Sequence, residues 1–231
     1  MIEMIAFDAD DTLWHNEVYY QDALEELKTI LSEWAKADAV IDRLNEIELR
    51  NLPIYGYGIK AFVLSMIETA FLVSGGQMRG DTIEKILSIG RTMLNAVVLP
   101  RDNVKETLQK LSEMYPLMVI TKGDLLDQTR KIERSGLRDY FSLVEIVNDK
   151  TPDSYLEVLN KYHLNPENFL MVGNSLRSDI LPILQLGGTA VHIPAESTWE
   201  HEMVPDFDKS QAGFFEIAKM DQLPDLIARI N

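Results

Sequence analysis

The chain has 231 residues, 46% of them apolar, enough for one large domain or for a core carrying a smaller inserted one. With 37 acidic against 22 basic residues the formal charge is −15, which opposes binding to nucleic acid or to an anionic membrane over the surface as a whole. Cysteine is absent, so disulfides, thiolate metal sites and cysteine nucleophiles are excluded, and with no basic region leading into an apolar signal core the expected location is cytoplasmic.

The first apolar run, "MIAF" at 4–7, is short and unbroken, as suits a strand covered on both faces in a parallel sheet. Three aspartates, Asp8, Asp10 and Asp11, follow it directly. From 15 to 100 the apolar spacing turns helical, in "EVYYQDALEELKTILSEWAKAD", "DAVIDRLNEIELRNL" and "TIEKILSIGRTML", and no strand pattern interrupts it. "LPIYGYGIK" (52–60) supplies a Pro and Gly break between helices. "IKAFVLSMIETAFLV" (59–73) imitates a membrane span. It is 15 residues long and carries Lys60 and Glu68, whereas a span needs about 20 apolar residues, so a buried amphipathic helix is expected.

Beyond residue 100 helices and strands alternate. A helix over 103–114 places Val104, Leu108 and Leu111 on one stripe, with Asp102 or Asn103 available as a cap. The run "LMVI" (117–120) is a strand, and a helix over 124–135 stops at Gly136. The run "LVEI" (143–146) is followed by a helix over 152–162, with Thr151 as cap and Pro152 in its first position. "FLMV" (169–172), a helix over 179–186 closing on two glycines, and "AVHI" (190–193) complete the series. This order predicts a doubly wound, Rossmann-like α/β core with a parallel sheet, built from residues 1–14 and 101–231. Residues 15–100 are expected to form an inserted all-helical cap domain.

Sites in open α/β sheets form beyond the carboxyl ends of the strands. There the sequence puts Asp8 and Asp10, then Thr121, then Lys150, then Asn174, Ser175 and Asp179. Asp8 and Asp10 are two apart, so an extended backbone would turn both carboxylates to one side. Two such charges about 4 Å apart repel by roughly 4 kcal/mol at an effective dielectric near 20, a penalty that a divalent cation converts into attraction. Carboxylates without nearby Cys or His make a hard oxygen site, which suits Mg²⁺ shared with phosphate and water, and Asp179 is available as a third carboxylate. Thr121 and Lys150 would bond and neutralise phosphate oxygens. A carboxylate so placed can attack phosphorus, and a second can move the protons.

These residues carry a resemblance. "FDADDTL" resembles the first motif of the haloacid dehalogenase-like hydrolases, "VITKGD" the second, "NDKTPDSY" the lysine-bearing third and "MVGNSLRSD" the acidic fourth, in the family's order over residues 4–179. The resemblance implies Asp8 as nucleophile and Asp10 as general acid/base. It also implies Mg²⁺ held by Asp8, the Asp10 carbonyl and Asp179, and a phosphoryl group held by Thr121 and Lys150. Two positions depart from the pattern: Asn174 stands where many members have Asp, so that it would reach the metal through water, and Lys122 where many have Asn.

The expected activity is Mg²⁺-dependent hydrolysis of a small phosphorylated metabolite through an aspartyl-phosphate. The alternatives are a haloacid dehalogenase, a phosphonatase or a phosphomutase of the same family, or a non-catalytic binding protein on this fold. Dehalogenases lack the second aspartate, so Asp10 speaks against that reading, and the presence of Asp8, Asp10 and Lys150 speaks against a non-catalytic one. No nucleic-acid or membrane partner is expected, and oligomeric state is left open. Trp14, His15, Tyr55 and Tyr57 are the candidates for contact with the substrate, since the resemblance implies a cap whose interhelical loop reads the leaving group. Asp11 is expected to shape a turn. None of the histidines, 15, 163, 192 and 201, has metal-ligand spacing, and His192 is expected to be packed or hydrogen-bonded.

Overall fold

The computed structural model describes residues 1–195, 199 and 202–231, and His201 lies outside them. The chain divides into two compact units, Met1–Glu17 with Val98–Asn231, and Val18–Val97.

The first unit holds a six-stranded, all-parallel sheet: β1 (Met4–Phe7), β2 (Leu117–Lys122), β3 (Leu143–Val147), β4 (Phe169–Gly173), β5 (Thr189–His192) and β6 (Phe214–Glu216). Their order is β3-β2-β1-β4-β5-β6, with β1 paired to both β2 and β4, so the direction of winding reverses at β1 and β4. The run "MIAF" is apolar throughout because both of its faces are covered. Ile5 and Phe7 pack with Leu117, Val119, Leu170 and Val172, while Met4 and Ala6 pack with Met118, Ile120 and Met171 on the other side. The sixth strand has no sequence signal of its own. It is three residues long, lies at the sheet edge and is only partly buried.

The second unit is helical, with α1 (Glu17–Leu31), α2 (Ala37–Tyr55), α3 (Ile59–Val73) and α4 (Gly80–Leu94). Leu27, Leu31, Leu44, Phe62, Met66 and Ile86 build its own core. α3 and α4 approach so closely at Gly90 that a Cβ there would stand 2.5 Å from Val63 Cγ2. Pro53, expected to interrupt the helices, lies inside the last turns of α2, and Gly56, at φ 72°, ends that helix. No helix among the described residues is long and apolar enough to cross a membrane.

Among the described residues five further helices cover the sheet: α5 (Val104–Ser112), α6 (Leu125–Arg134), α7 (Pro152–Lys161), α8 (Leu181–Gln185) and α9 (Leu223–Ile230). α5, α6 and α9 send Leu108, Leu111, Ile132, Leu223 and Ile227 to one face, and α7 and α8 send Tyr155, Leu159 and Ile183 to the other. Thr151 caps α7 in a capping box with Ser154, with Pro152 just inside. Asn103 does not cap α5 with its side chain, because its backbone is left-handed at φ 62°. The helix expected at 179–186 is preceded by a wider turn over Leu176–Ile180, closed by Ile180 N–H donating to the Ser175 carbonyl at 3.2 Å, and α8 starts only after it.

Candidate active site

The reversal point brings the ends of β1 and β4 side by side, and there Asp8 N–H donates to the Val172 carbonyl at 2.9 Å. Lys150, three residues past β3, is 4% exposed, and its Nζ reaches both Asp8 Oδ1 at 2.5 Å and Asp179 Oδ1 at 2.7 Å. Asp179 Oδ2 accepts from the Ser175 N–H at 2.9 Å. This packing requires glycine at 173, where a Cβ would lie 2.3–2.4 Å from the Asp179 carboxyl group. Burial, joined by the nearby Asp179 charge, pushes the Asp8 carboxyl up to about 7 against the pull of Lys150. Burial alone would discharge Lys150, but Asp179 and Asp8 hold its ammonium charged, above the ordinary lysine range.

Asp8 Oδ2 accepts from Thr12 Oγ1 at 2.8 Å. One end of the Asn174 amide lies 3.1 Å from Thr12 Oγ1 and 3.2 Å from both Asp8 Oδ2 and the Asp10 carbonyl oxygen, and its NH₂ group, turned there, donates to all three. Among the described residues no three acidic or histidine side chains group so as to hold a metal ion by themselves. The oxygens nonetheless fit a small hard cation. Octahedral Mg²⁺ with ligands at about 2.1 Å sets neighbouring oxygens about 3 Å apart. Rotated by half a turn, Asn174 would present its oxygen at that spacing to Asp8 Oδ2 and the Asp10 carbonyl. The two carboxylates on Lys150 also leave one negative charge uncompensated.

Asp10 does not share this cluster's partners. β1 ends at Phe7 and Asp11 is left-handed at φ 62°, so strand alternation does not extend to residue 10. Its carboxylate instead takes the Trp14 indole N–H at 2.7 Å, Lys131 Nζ at 2.8 Å to each oxygen, and Gln128 Nε2 at 2.8 Å. Burial favours the neutral acid, but the Lys131 ammonium and these bonds hold Asp10 below the ordinary carboxylate range. Asp11 turns the chain and accepts from the Asn16 and Glu17 N–H groups at 2.9 and 3.0 Å.

Thr121 is buried at the end of β2. The next residue, Lys122, donates to Ser178 Oγ at 2.8 Å and pairs with Glu202, whose carboxylate also accepts from Ser175 Oγ and from Ser178 Oγ at 2.6 Å. His192 is buried, with Nε2 3.0 Å from the Asn174 carbonyl and Nδ1 3.0 Å from Glu216 Oε2, so it anchors the backbone of the Asn174 loop. Trp14 is 1% exposed and spends its indole N–H on Asp10, whereas His15 is exposed. Tyr55, at the end of α2, is exposed and Tyr57 partly so; both belong to the helical unit.

Sequence reasoning missed Gln128, Lys131, Thr12 and Glu202. Gln128 and Lys131 stand one turn apart on the helix that leaves β2, a spacing that marks one helix face but does not say what that face meets. Glu202 comes from the long connection between β5 and β6, where nothing local points back to Lys122.

Several known proteins resemble this chain over most of its length. A solved haloacid dehalogenase-like family hydrolase from Xanthomonas campestris is 36% identical, with a TM-score of 0.88 over 99% of this chain and 91% of that one. The glyceraldehyde 3-phosphate phosphatase of Methanothermobacter thermautotrophicus is 26% identical over 208 residues, 86% of this chain and 88% of that protein. The human N-acylneuraminate-9-phosphatase is 24% identical over 245 aligned positions, 100% of this chain and 95% of that protein. The haloacid dehalogenase-like hydrolase pattern itself matches residues 2–187, and with the parallel sheet and its strand-end residues it establishes that the chain belongs to the haloacid dehalogenase-like hydrolases.

Proposed function

We propose that the protein is a Mg²⁺-dependent phosphomonoesterase that hydrolyses a small phosphorylated metabolite through a phosphoryl group carried on Asp8. The observation that carries this reading is the buried Lys150 ammonium, held between Asp8 and Asp179 beside the oxygens of Asn174 and the Asp10 carbonyl. The phosphatase names of two relatives agree with it.

Lys150 and Thr121 bind the phosphoryl oxygens of the ester, Lys150 by charge and Thr121 by its hydroxyl. An Asp8 carboxylate oxygen attacks phosphorus while the bond to the leaving oxygen breaks, and Asp10 supplies the proton that oxygen needs. Water then attacks the acyl phosphate as Asp10, now a carboxylate, takes its proton; inorganic phosphate leaves and Asp8 is regenerated. The Lys131 bond that favours the ionised form suits Asp10 to this second step. Asp8, the Asp10 carbonyl and Asn174 would hold Mg²⁺, which supplies positive charge against the transferring phosphoryl group. Asp179, expected from sequence to bind the metal, also fixes Lys150, bonding it through Oδ1 while Oδ2 accepts from the Ser175 N–H. The helical unit Val18–Val97 is assigned the choice of substrate, with Tyr55 and Tyr57 as its candidate residues.

The test is release of inorganic phosphate from p-nitrophenyl phosphate and a panel of phosphorylated metabolites, with and without Mg²⁺. Turnover that needs Mg²⁺ and disappears in Asp8→Asn is expected. Undiminished turnover in that variant would remove Asp8 as the nucleophile.

A further inference from the structure

Asp10 lies beyond the end of β1, its backbone bridged only to Trp14, so the alternation of a sheet strand does not fix the direction of its side chain. Its aim is set by other residues. A carboxylate offers about four acceptor sites, and the ionised Asp10 fills them with Trp14 Nε1 and Lys131 Nζ on Oδ1 and Lys131 Nζ and Gln128 Nε2 on Oδ2, each at 2.7–2.8 Å, so that one of these bonds opens when an oxygen takes up the catalytic proton. Lys131 is itself tethered by a bond to Asn16 Oδ1 at 2.8 Å. Gln128 is 3% exposed; its Nε2 also donates to the Lys122 carbonyl at 3.2 Å, while its Oε1 meets no donor among the described residues. A buried amide whose oxygen lacks a partner is held in one orientation by its donor end. Gly123 leaves room for it, since a Cβ there would stand 3.2 Å from Gln128 Nε2.

We propose that Gln128 and Lys131, one turn apart on α6, are positioning residues that aim the Asp10 carboxyl group at the leaving oxygen. The proposal rests on the phosphatase reading of the site. In the first step the P–O electron pair moves to the leaving oxygen and the Asp10 proton goes with it. Misaiming Asp10 therefore harms a poor leaving group more than a good one. An aryl oxide departs with little help, whereas an alkoxide needs its proton in the transition state.

The experiment compares kcat/KM for p-nitrophenyl phosphate and glycerol 1-phosphate in the wild type, Lys131→Met, Lys131→Arg and Gln128→Met. Loss of aim is expected to lower the alkyl-to-aryl ratio about tenfold in Lys131→Met and about threefold in Gln128→Met. The change should appear in kcat, and Lys131→Arg should recover most of it. In an Asp10→Asn background, Lys131→Met should leave the ratio where it is, because there is no proton left to aim. Equal losses on both esters, or the full Lys131→Met effect persisting in Asp10→Asn, would overturn the proposal. If Lys131→Met does not fold, Gln128→Met carries the same comparison. If the wild type hydrolyses neither ester, the phosphatase reading fails, and the crystal structure of the variant decides the positioning role. Asp10 displaced from Trp14 supports it; Asp10 unmoved overturns it.

Discussion

Replacing Asp8 by Asn should abolish turnover and, in the metal-free protein, make the fold more stable. Lys150 Nζ stands 2.5 Å from Asp8 and 2.7 Å from Asp179, so one ammonium serves two buried carboxylates. The Asp8 carboxyl is pushed from its ordinary 3.8 up to about 7 by burial and by Asp179. At about 1.4 kcal/mol per pH unit, keeping it ionised costs the folded state up to about 4 kcal/mol above pH 7. The Asn variant carries no such cost, since the Lys150 attraction it gives up is already counted in the net shift. It leaves Lys150 and Asp179 as a matched pair, for a gain of up to about 4 kcal/mol above pH 7. The sign fixes the pH dependence. Below the ordinary value Asp8 is protonated in both states and costs nothing. As pH rises toward about 7 the folded protein still holds the proton that the unfolded chain has lost, and this stability disappears. Urea denaturation followed by circular dichroism in EDTA, at pH 5 to 8, should show the advantage of Asp8→Asn growing to pH 7 and then levelling. An Asn variant no more stable than wild type at pH 8, or an advantage independent of pH, would refute the reasoning.

Other substitutions probe the same cluster. Lys150→Met leaves Asp8 and Asp179 with no ammonium and should cost about 3–5 kcal/mol at neutral pH, read by urea denaturation, with part of the loss recovered as pH falls and the carboxyls protonate. Asn174→Asp adds a charge beside Asp8 Oδ2. It should tighten Mg²⁺ binding by about tenfold or more in calorimetry and lower the stability of the metal-free protein. Gly173→Ala drives a Cβ to within 2.3–2.4 Å of the Asp179 carboxyl group. A loss of about 1–3 kcal/mol is expected, together with reduced turnover, because Lys150 loses its second anchor.

Much of the fold could be read from local pattern. Unbroken apolar runs mark β1, β2, β4 and β5 because those strands are covered on both faces, and helical spacing marks α1 to α4 because each buries a single stripe. β6 escaped, since three residues at a sheet edge, two half-buried and one exposed, owe their pairing to β5 rather than to their own composition. Asp8, Lys150 and Asp179, which hydrogen bonds join, were legible because each follows a strand, and parallel strands bring their carboxyl ends to one rim.

The residue types and their order along the chain therefore determined the fold class, the strand-end residues and the family. Tertiary structure alone decided who bonds to whom. Lys150 shares itself between Asp8 and Asp179, Asp10 turns to Gln128 and Lys131, and Glu202 returns to Lys122 across 80 residues of chain. Periodicity tells which way a side chain faces within a strand or helix. These carboxylates lie in the turns and loops beyond, where their direction is set by charges and donors that arrive from distant elements.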